Sequence, residues 1–227
     1  MRKFRNAILA VSLVALASFA SLLAFPEAPR ALAQTKAAKV AYAPLSGGEY
    51  RIDPAHSTIG FSIRHYEINW VSGRFKDFTG RIRYDEKDIT KSSVEFSAKV
   101  ESIDTGIAAR DKHLRTADFF EVEKFPEMTF KSTRVERRGR NGYVLHGDFT
   151  LKGVTKPVAI PFTVTGAIKD PWGNTRFGVE ARTKINRRDF QINYGNAFAG
   201  GLDVGNEVEI SLRLEAVLAA PKTASGR

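Results

Sequence analysis

Between Ser102 and Leu114 the chain reads SIDTGIAARDKHL, which gathers Asp104, Arg110, Asp111 and His113 into one short run. Two carboxylates and an imidazole are the material of a hydrolase. Asp104-Thr105-Gly106 has the spelling of an aspartic protease, and Asp111 with His113 has the composition of an orienter and a general base. An aspartic protease, however, needs two facing aspartates that share a proton, and the chain holds no second Asp-Thr-Gly triplet, so only a retroviral-type dimer could supply one. Residues two apart on a helix do not face each other, which separates His113 from Asp111. No Gly-x-Ser-x-Gly elbow marks a nucleophile. The four histidines, His56, His65, His113 and His146, lack the His-x-His or His-x-x-x-His spacing of a metal site. The chain has no cysteine, which removes thiol chemistry and cysteine-based metal sites. A hydrolase built on Asp104, Asp111 and His113 stays as the alternative to a protein that binds without chemistry, and neither a metal nor a cofactor is expected.

The elements that must position these residues are strands. From Glu49 onward the dominant period is two: Ile59, Phe61, Ile63 and His65 alternate with Gly60, Ser62 and Arg64, and Val94, Phe96, Ala98 and Val100 alternate with Glu95, Ser97 and Lys99. Val158 to Val164, Phe177 to Ala181 and Val208 to Ala216 repeat the pattern, so each strand has one dry and one wet face. Turn residues separate them at Gly73 and Gly80, Asp85 to Asp88, Gly139 to Gly142, Asp170 to Asn174 and Gly200 to Asn206. Short connections between many consecutive strands predict an antiparallel sandwich or a closed barrel, and periodicity does not choose between them.

One segment reads as a helix, the opening run, with Asp104 or Thr105 as N-cap and Gly106 easing the turn. Ile107 and Leu114 then share a face, and Arg110 and Asp111 lie between them, aimed at the body of the protein. Charges aimed inward need each other or a partner. His65 falls in phase with the dry face of its strand, with the Arg110/Asp111 helix as its expected neighbour. The chain carries 16 phenylalanines, many of them in strand phase. They either fill a core or wall a cavity, because a closed barrel of about eight strands is just wide enough inside for one small ligand. The candidate ligand-binding set is Phe61, Ile63, His65, Phe75, Phe78, Phe96, Arg110, Asp111, His113, Phe120, Phe130, Phe149, Phe162 and Phe177.

The N-terminus supplies the expected address. Arg2, Lys3 and Arg5 precede an apolar run from Ala7 to Phe25, and Ala31-Leu32-Ala33 offers a small-x-small cleavage site. This predicts a signal peptide over residues 1–33 and a periplasmic or secreted protein. The competing reading is a retained anchor, since the run approaches the roughly 17–25 residues that span a bilayer. With no cysteine after it, a bacterial lipoprotein anchor is excluded. A flexible leader over 34–48, one domain over 49–218 and a flexible tail over 219–227 complete the expected organisation. Losing residues 1–33 lowers the formal charge from +10 to +7. A basic balance favours anionic partners such as a membrane surface, export makes nucleic acid an unsuitable one, and a homodimer is left open.

These stretches together resemble the YceI-like family of polyisoprenoid-binding proteins. The resemblance runs through Tyr50-Arg51-Ile52-Asp53-Pro54-Ala55-His56-Ser57, Phe61 to His65, Gly73-Arg74-Phe75, Ser102 to Gly106, Arg110 to Leu114 and Asp118 to Glu121. It continues through Phe125 to Ser132, Gly147 to Val158, Val204 to Val208 and Glu215-Ala216, in order along the whole domain. Gln191 and Asn206 depart from it, standing where the family tends to have glycine and aspartate. The resemblance implies an all-β, lipocalin-like antiparallel barrel of about eight strands with one short helix near its mouth. It further implies that the barrel sequesters a long isoprenoid, of isoprenyl quinone or isoprenyl phosphate type, or a similar amphiphile.

Overall fold

The computed structural model describes residues 42–139 and 142–220. The expected signal peptide, most of the leader and residues 221–227 of the tail lie outside the described residues. Among those described, the strands are β1 (Gly48–Ile52), β2 (Thr58–His65), β3 (Asn69–Phe75), β4 (Phe78–Tyr84), β5 (Ser93–Lys99), β6 (Ile103–Asp104), β7 (Glu127–Arg138), β8 (Gly142–Leu151), β9 (Val154–Lys169), β10 (Thr175–Asn186), β11 (Ala197–Phe198), β12 (Gly201–Leu202) and β13 (Val204–Leu218). The one α-helix, α1, spans Ala108–Leu114.

Strands pair antiparallel in the order β1-β4-β5-β7-β8-β9-β10-β13, and β13 returns to β1 through Tyr50↔Leu218 and Ile52↔Ala216. The sheet is therefore a closed eight-stranded barrel, the alternative that periodicity left open against a sandwich. Three of its staves are broken. Pro54, which cannot donate a ladder hydrogen bond, interrupts the first between β1 and β2, where Asp53 Oδ1 accepts from the Ala55 amide at 3.0 Å. Lys76 and Asp77 separate β3 from β4, and a 3₁₀ turn over Val100–Ser102 separates β5 from β6.

β6 pairs with β3 but not with β7, so the wall parts at one end of the barrel, and α1 with the segment up to β7 stands there. This is the helix end. The β2–β3 turn reaches it too, with Tyr66 against Phe198 of the β11–β12 hairpin at 5.4 Å between rings. So does the two-residue β8–β9 turn, whose Lys152 and Gly153 both have positive φ, as tight hairpins require; Lys152 Nζ donates to the carbonyls of Ala117 and Gln191.

Side chains alternate as a half-buried strand demands: on β13, Val208, Ile210, Leu212 and Leu214 face the interior, while Glu207 and Glu209 pair with Lys184 outside. Toward the far end aromatic side chains pack across the interior. Tyr50, fully buried, sets its ring edge-on to Phe177 at 4.8 Å and donates its hydroxyl to the Ser46 carbonyl at 2.7 Å. The last residues of the expected leader thus lie against the barrel; Gly48 already belongs to β1, and the Ala43 amide donates to Ala167.

The helix departs from its expected cap and face. Ile107, not Asp104 or Thr105, takes the N-cap position, and it is exposed rather than turned inward with Leu114. Asp104 instead accepts from the Gly106 amide at 3.0 Å and pairs with Arg74 and Lys76. Gln191, at the position where the family tends to have glycine, has φ +58 and so adopts the left-handed conformation glycine would favour. Asn206 accepts from Arg188 Nε at 2.8 Å.

Candidate functional site

The barrel encloses a cavity of about 490 Å³, within the roughly 300–1,000 Å³ of small-molecule sites. Its wall is built by inward positions of strands all around the barrel, which is why strand phase marks most of it. Phe61, Ile63, His65, Phe75, Phe96, Phe130, Phe149, Phe162 and Phe177 line it from the staves, and Arg110, His113 and Phe120 line it from α1 and the segment after it. Two residues of the candidate set do not. Phe78 is buried in the core and tilts against Phe96 at 6.1 Å, so it supports the wall from behind. Asp111 is buried beside the cavity rather than on it.

Asp111 also has a different partner from the one expected. Neighbours on a helix point about 100° apart, and Arg110 and Asp111 meet only through Thr105. The Thr105 amide donates to Asp111 Oδ1 at 2.9 Å, the Thr105 hydroxyl donates to the same oxygen, and Arg110 Nε and Nη2 donate to Thr105 Oγ1 and O at 2.7 and 2.8 Å. His113 Nε2 lies 2.8 Å from Asp118 Oδ2, and its ring stands edge-on to Phe119 and Tyr194. His65 is exposed at the mouth with its ring against Tyr66 at 4.4 Å, and it makes no hydrogen bond to the helix.

Sequence reasoning missed Arg187. It sits in a 3₁₀ turn over Arg187–Phe190, is 3% exposed, and lines the cavity. Its Nε, Nη1 and Nη2 donate to the carbonyls of Gly205, Ile192 and Val204 at 2.7, 2.8 and 2.9 Å. Burial, helped by the Arg188 charge, pulls its pKa below the usual arginine value. Arg64, also on the wall, lays its guanidinium over the Trp70 ring at 4.3 Å. The charged wall residues are therefore concentrated at the helix end, while the rest of the wall is aliphatic and aromatic save for the hydroxyls of Tyr84, Ser92, Thr105 and Thr183.

Outside the barrel, Asp53, His56 and Glu215 form the only metal-type cluster among the described residues. Arg176 occupies it: Nη1 donates to Glu215 at 2.6 Å and to Asp53 at 3.0 Å, and Nε donates to Asp170 at 2.7 Å. A guanidinium in that position opposes a cation.

A closed eight-stranded antiparallel barrel around a largely apolar cavity defines a lipocalin-like fold. Residues 50–216 match the YceI-like domain, and the chain belongs to that family. A UPF0312 protein of Photorhabdus laumondii is 47% identical over 145 residues, 63% of this chain and 75% of the relative. Protein YceI of Salmonella newport is 41% identical over 174 residues, 74% of this chain and 86% of the relative. Among solved structures, a polyisoprenoid binding domain from Saccharophagus degradans shares the fold at TM-score 0.59 and 16% identity, covering 77% of this chain and all of that one.

Proposed function

We propose that the protein sequesters or carries a long-chain isoprenoid, of isoprenyl quinone or isoprenyl phosphate type, outside the cytoplasm. One observation carries the reading: the cavity has the polarity of an amphiphile, with a wall that is mostly aliphatic and aromatic and with its charged groups, Arg64, His65, Arg110, His113 and Arg187, only toward the helix end. Each enclosed CH₂ contributes about 0.8 kcal/mol before binding losses, so a chain of isoprene units draws its affinity from the deep wall. The Saccharophagus degradans domain is described as polyisoprenoid-binding, and at 16% identity it speaks for the fold, so the ligand class rests on the wall itself.

The same reading takes the helix end as the face that meets an anionic membrane surface, for there Tyr66, Ile68, Ile107 and Phe198 are exposed. It also takes the protein to be no enzyme. The residues of the rival hydrolase are engaged apart from one another: Asp104 with Gly106, Arg74 and Lys76, Asp111 with Thr105, and His113 with Asp118.

Mass spectrometry of an organic extract of the purified protein tests the reading. An isoprenoid at near one per chain is the expected result; a chain with no co-purifying lipid that also fails to take up added isoprenoid overturns it. Ester, peptide or phosphate hydrolysis that disappears in Asp104→Asn, Asp111→Asn or His113→Ala, with folding intact, would establish the enzyme instead.

A further inference from the structure

The residues just before β1, 42–47, belong to no strand, yet they cross the far end of the barrel. On one side the Ala43 amide donates to the Ala167 carbonyl of β9 at 2.7 Å, and the Tyr42 ring lies over Gly166, where an added Cβ would collide with it. On the other side the Gly47 amide donates to Glu86 Oε2 at 3.0 Å, in the turn between β4 and β5. Between these two holds Leu45 turns inward, packing against the core and lining the cavity. Ile89 reaches the same cavity from the β4–β5 turn.

The wall is incomplete where this segment lies. β9 pairs with β10 as far as Lys169, but with β8 only as far as Phe162, opposite Tyr143. Residues 163–169 thus have a strand on one edge only among the described residues, and Ala43 bonds into that notch. The segment is also lightly held. Besides the Ala43 and Gly47 bonds, it has among the described residues only the Tyr50 hydroxyl on the Ser46 carbonyl, at 2.7 Å, where the staves have ladders. Its joint to β1 is Gly47-Gly48, and Gly48 has φ +147, a conformation that side chains disfavour. A pair of glycines at the end of an element is suited to serve as a hinge.

We propose that residues 42–47 are a releasable strap with Leu45 as its plug, so that the far end of the barrel is a second portal to the cavity, separate from the mouth at the helix end. Release swings the strap on Gly47-Gly48, clears the notch beside β9 and withdraws Leu45, while β1 keeps its pairing with β4 and β13. A barrel that opens at both ends can take up a molecule at one face and give it up at the other. This goes beyond the carrier reading and does not depend on what the cavity holds.

The chain has no cysteine, so a single introduced thiol reports its own exposure. The test is the rate at which a water-soluble methanethiosulfonate labels four variants of the full protein. These are Leu45→Cys, Val164→Cys on the cavity wall toward the far end, Ile63→Cys on the wall toward the helix end, and Ala98→Cys in the core. Each is measured again with Tyr42→Ser and Glu86→Ala combined, which cut the two outer holds; both side chains are exposed, so the packing of the barrel is left alone. Labelling of Leu45→Cys and Val164→Cys should quicken about tenfold, as the loss of one charge-assisted hydrogen bond predicts. Ile63→Cys and Ala98→Cys should be unchanged. Quickening that extends to Ile63→Cys or Ala98→Cys would be a general loosening of the barrel and overturns the proposal. Quickening of Leu45→Cys alone would mean a strap that moves without opening the cavity, which overturns the portal. Unchanged rates at both far-end positions would show that the strap is not held in this way, and overturn it as well.

Discussion

Asp111 holds Thr105 twice, taking both its amide and its hydroxyl on a single carboxylate oxygen. The consequence passes to the cavity, because the same hydroxyl oxygen accepts from Arg110 Nε. Removing the buried acceptor should cost about 1–3 kcal/mol of stability. Asp111→Ala is therefore expected to lower the thermal midpoint clearly, with Thr105→Val lowering it less, and a midpoint unchanged in Asp111→Ala would show that the helix does not depend on this tie.

Acid should attack the outer surface through Asp170. Its carboxylate accepts from Arg176 Nε, the Asn174 side chain and the amides of Asn174 and Trp172, and with Arg176 as the main cause its pKa falls from 3.8 to about 2. A depressed carboxylate pKa stabilises fully above the unfolded value and the contribution is lost as pH falls toward the folded one. Asp170→Asn should thus be less stable than wild type at neutral pH, with the difference shrinking between about pH 4 and 2. His56 acts with the opposite sign. Asp53 raises its pKa above 6.5, so its contribution is present below that value and lost as pH rises through the raised one. Denaturant titrations at stepped pH read both.

Gly147 marks a crossing with no room for a side chain. A Cβ there would stand 2.5 Å from the Lys131 carbonyl oxygen and 2.5 Å from Phe130 Cζ. The carbonyl belongs to β7 and cannot swing aside as a side-chain end would, so Gly147→Ala should destabilise by about 1–3 kcal/mol through overpacking. Phe130 lines the cavity, and lipid uptake should fall with it; a variant as stable as wild type would mean that β7 yields at no cost.

The two tryptophans report on opposite ends. Trp70 begins its strand beside the β2–β3 turn at the helix end, and Trp172 projects from the β9–β10 turn at the other. With vesicles of phosphatidylethanolamine and phosphatidylglycerol carrying brominated acyl chains, the Trp172→Phe protein, which keeps Trp70, should be quenched and Trp70→Phe should not. Ile68→Ser should weaken vesicle binding by about tenfold, given roughly 1.5–3 kcal/mol for a fully buried isoleucine. Quenching of Trp172 alone would turn the molecule over on the membrane.

Much of the wall was legible because strand phase is local. Phe61, Ile63 and Phe177 declare their face by alternation with polar neighbours. Depth is not local: Phe78 shares the inward phase of β4, yet only the neighbouring staves determine that it ends behind the wall. Closure was equally invisible, since the pairing of Tyr50 with Leu218 joins residues from opposite ends of the domain and leaves no periodic trace. Arg187 reads in the sequence as the first charge of a solvated Arg-Arg-Asp run. Its burial depends on carbonyls of Ile192, Val204 and Gly205, two of them in another strand. Asp111 and Arg110 were singled out by composition, but their link through Thr105 follows from a turn that hydropathy does not encode.

β13 is the stave on which the barrel closes, pairing with β10 on one edge and with both β1 and β2 on the other. It is also the last strand of the domain in chain order. During synthesis from the N-terminus, every other stave is made before the one that joins them, and until β13 arrives the sheet has two open edges and an apolar face without a lining to meet. Pairing across such sequence separation is slow. The unfinished barrel is thus an open trough, and the apolar wall of the cavity is completed only when the last stave joins the first.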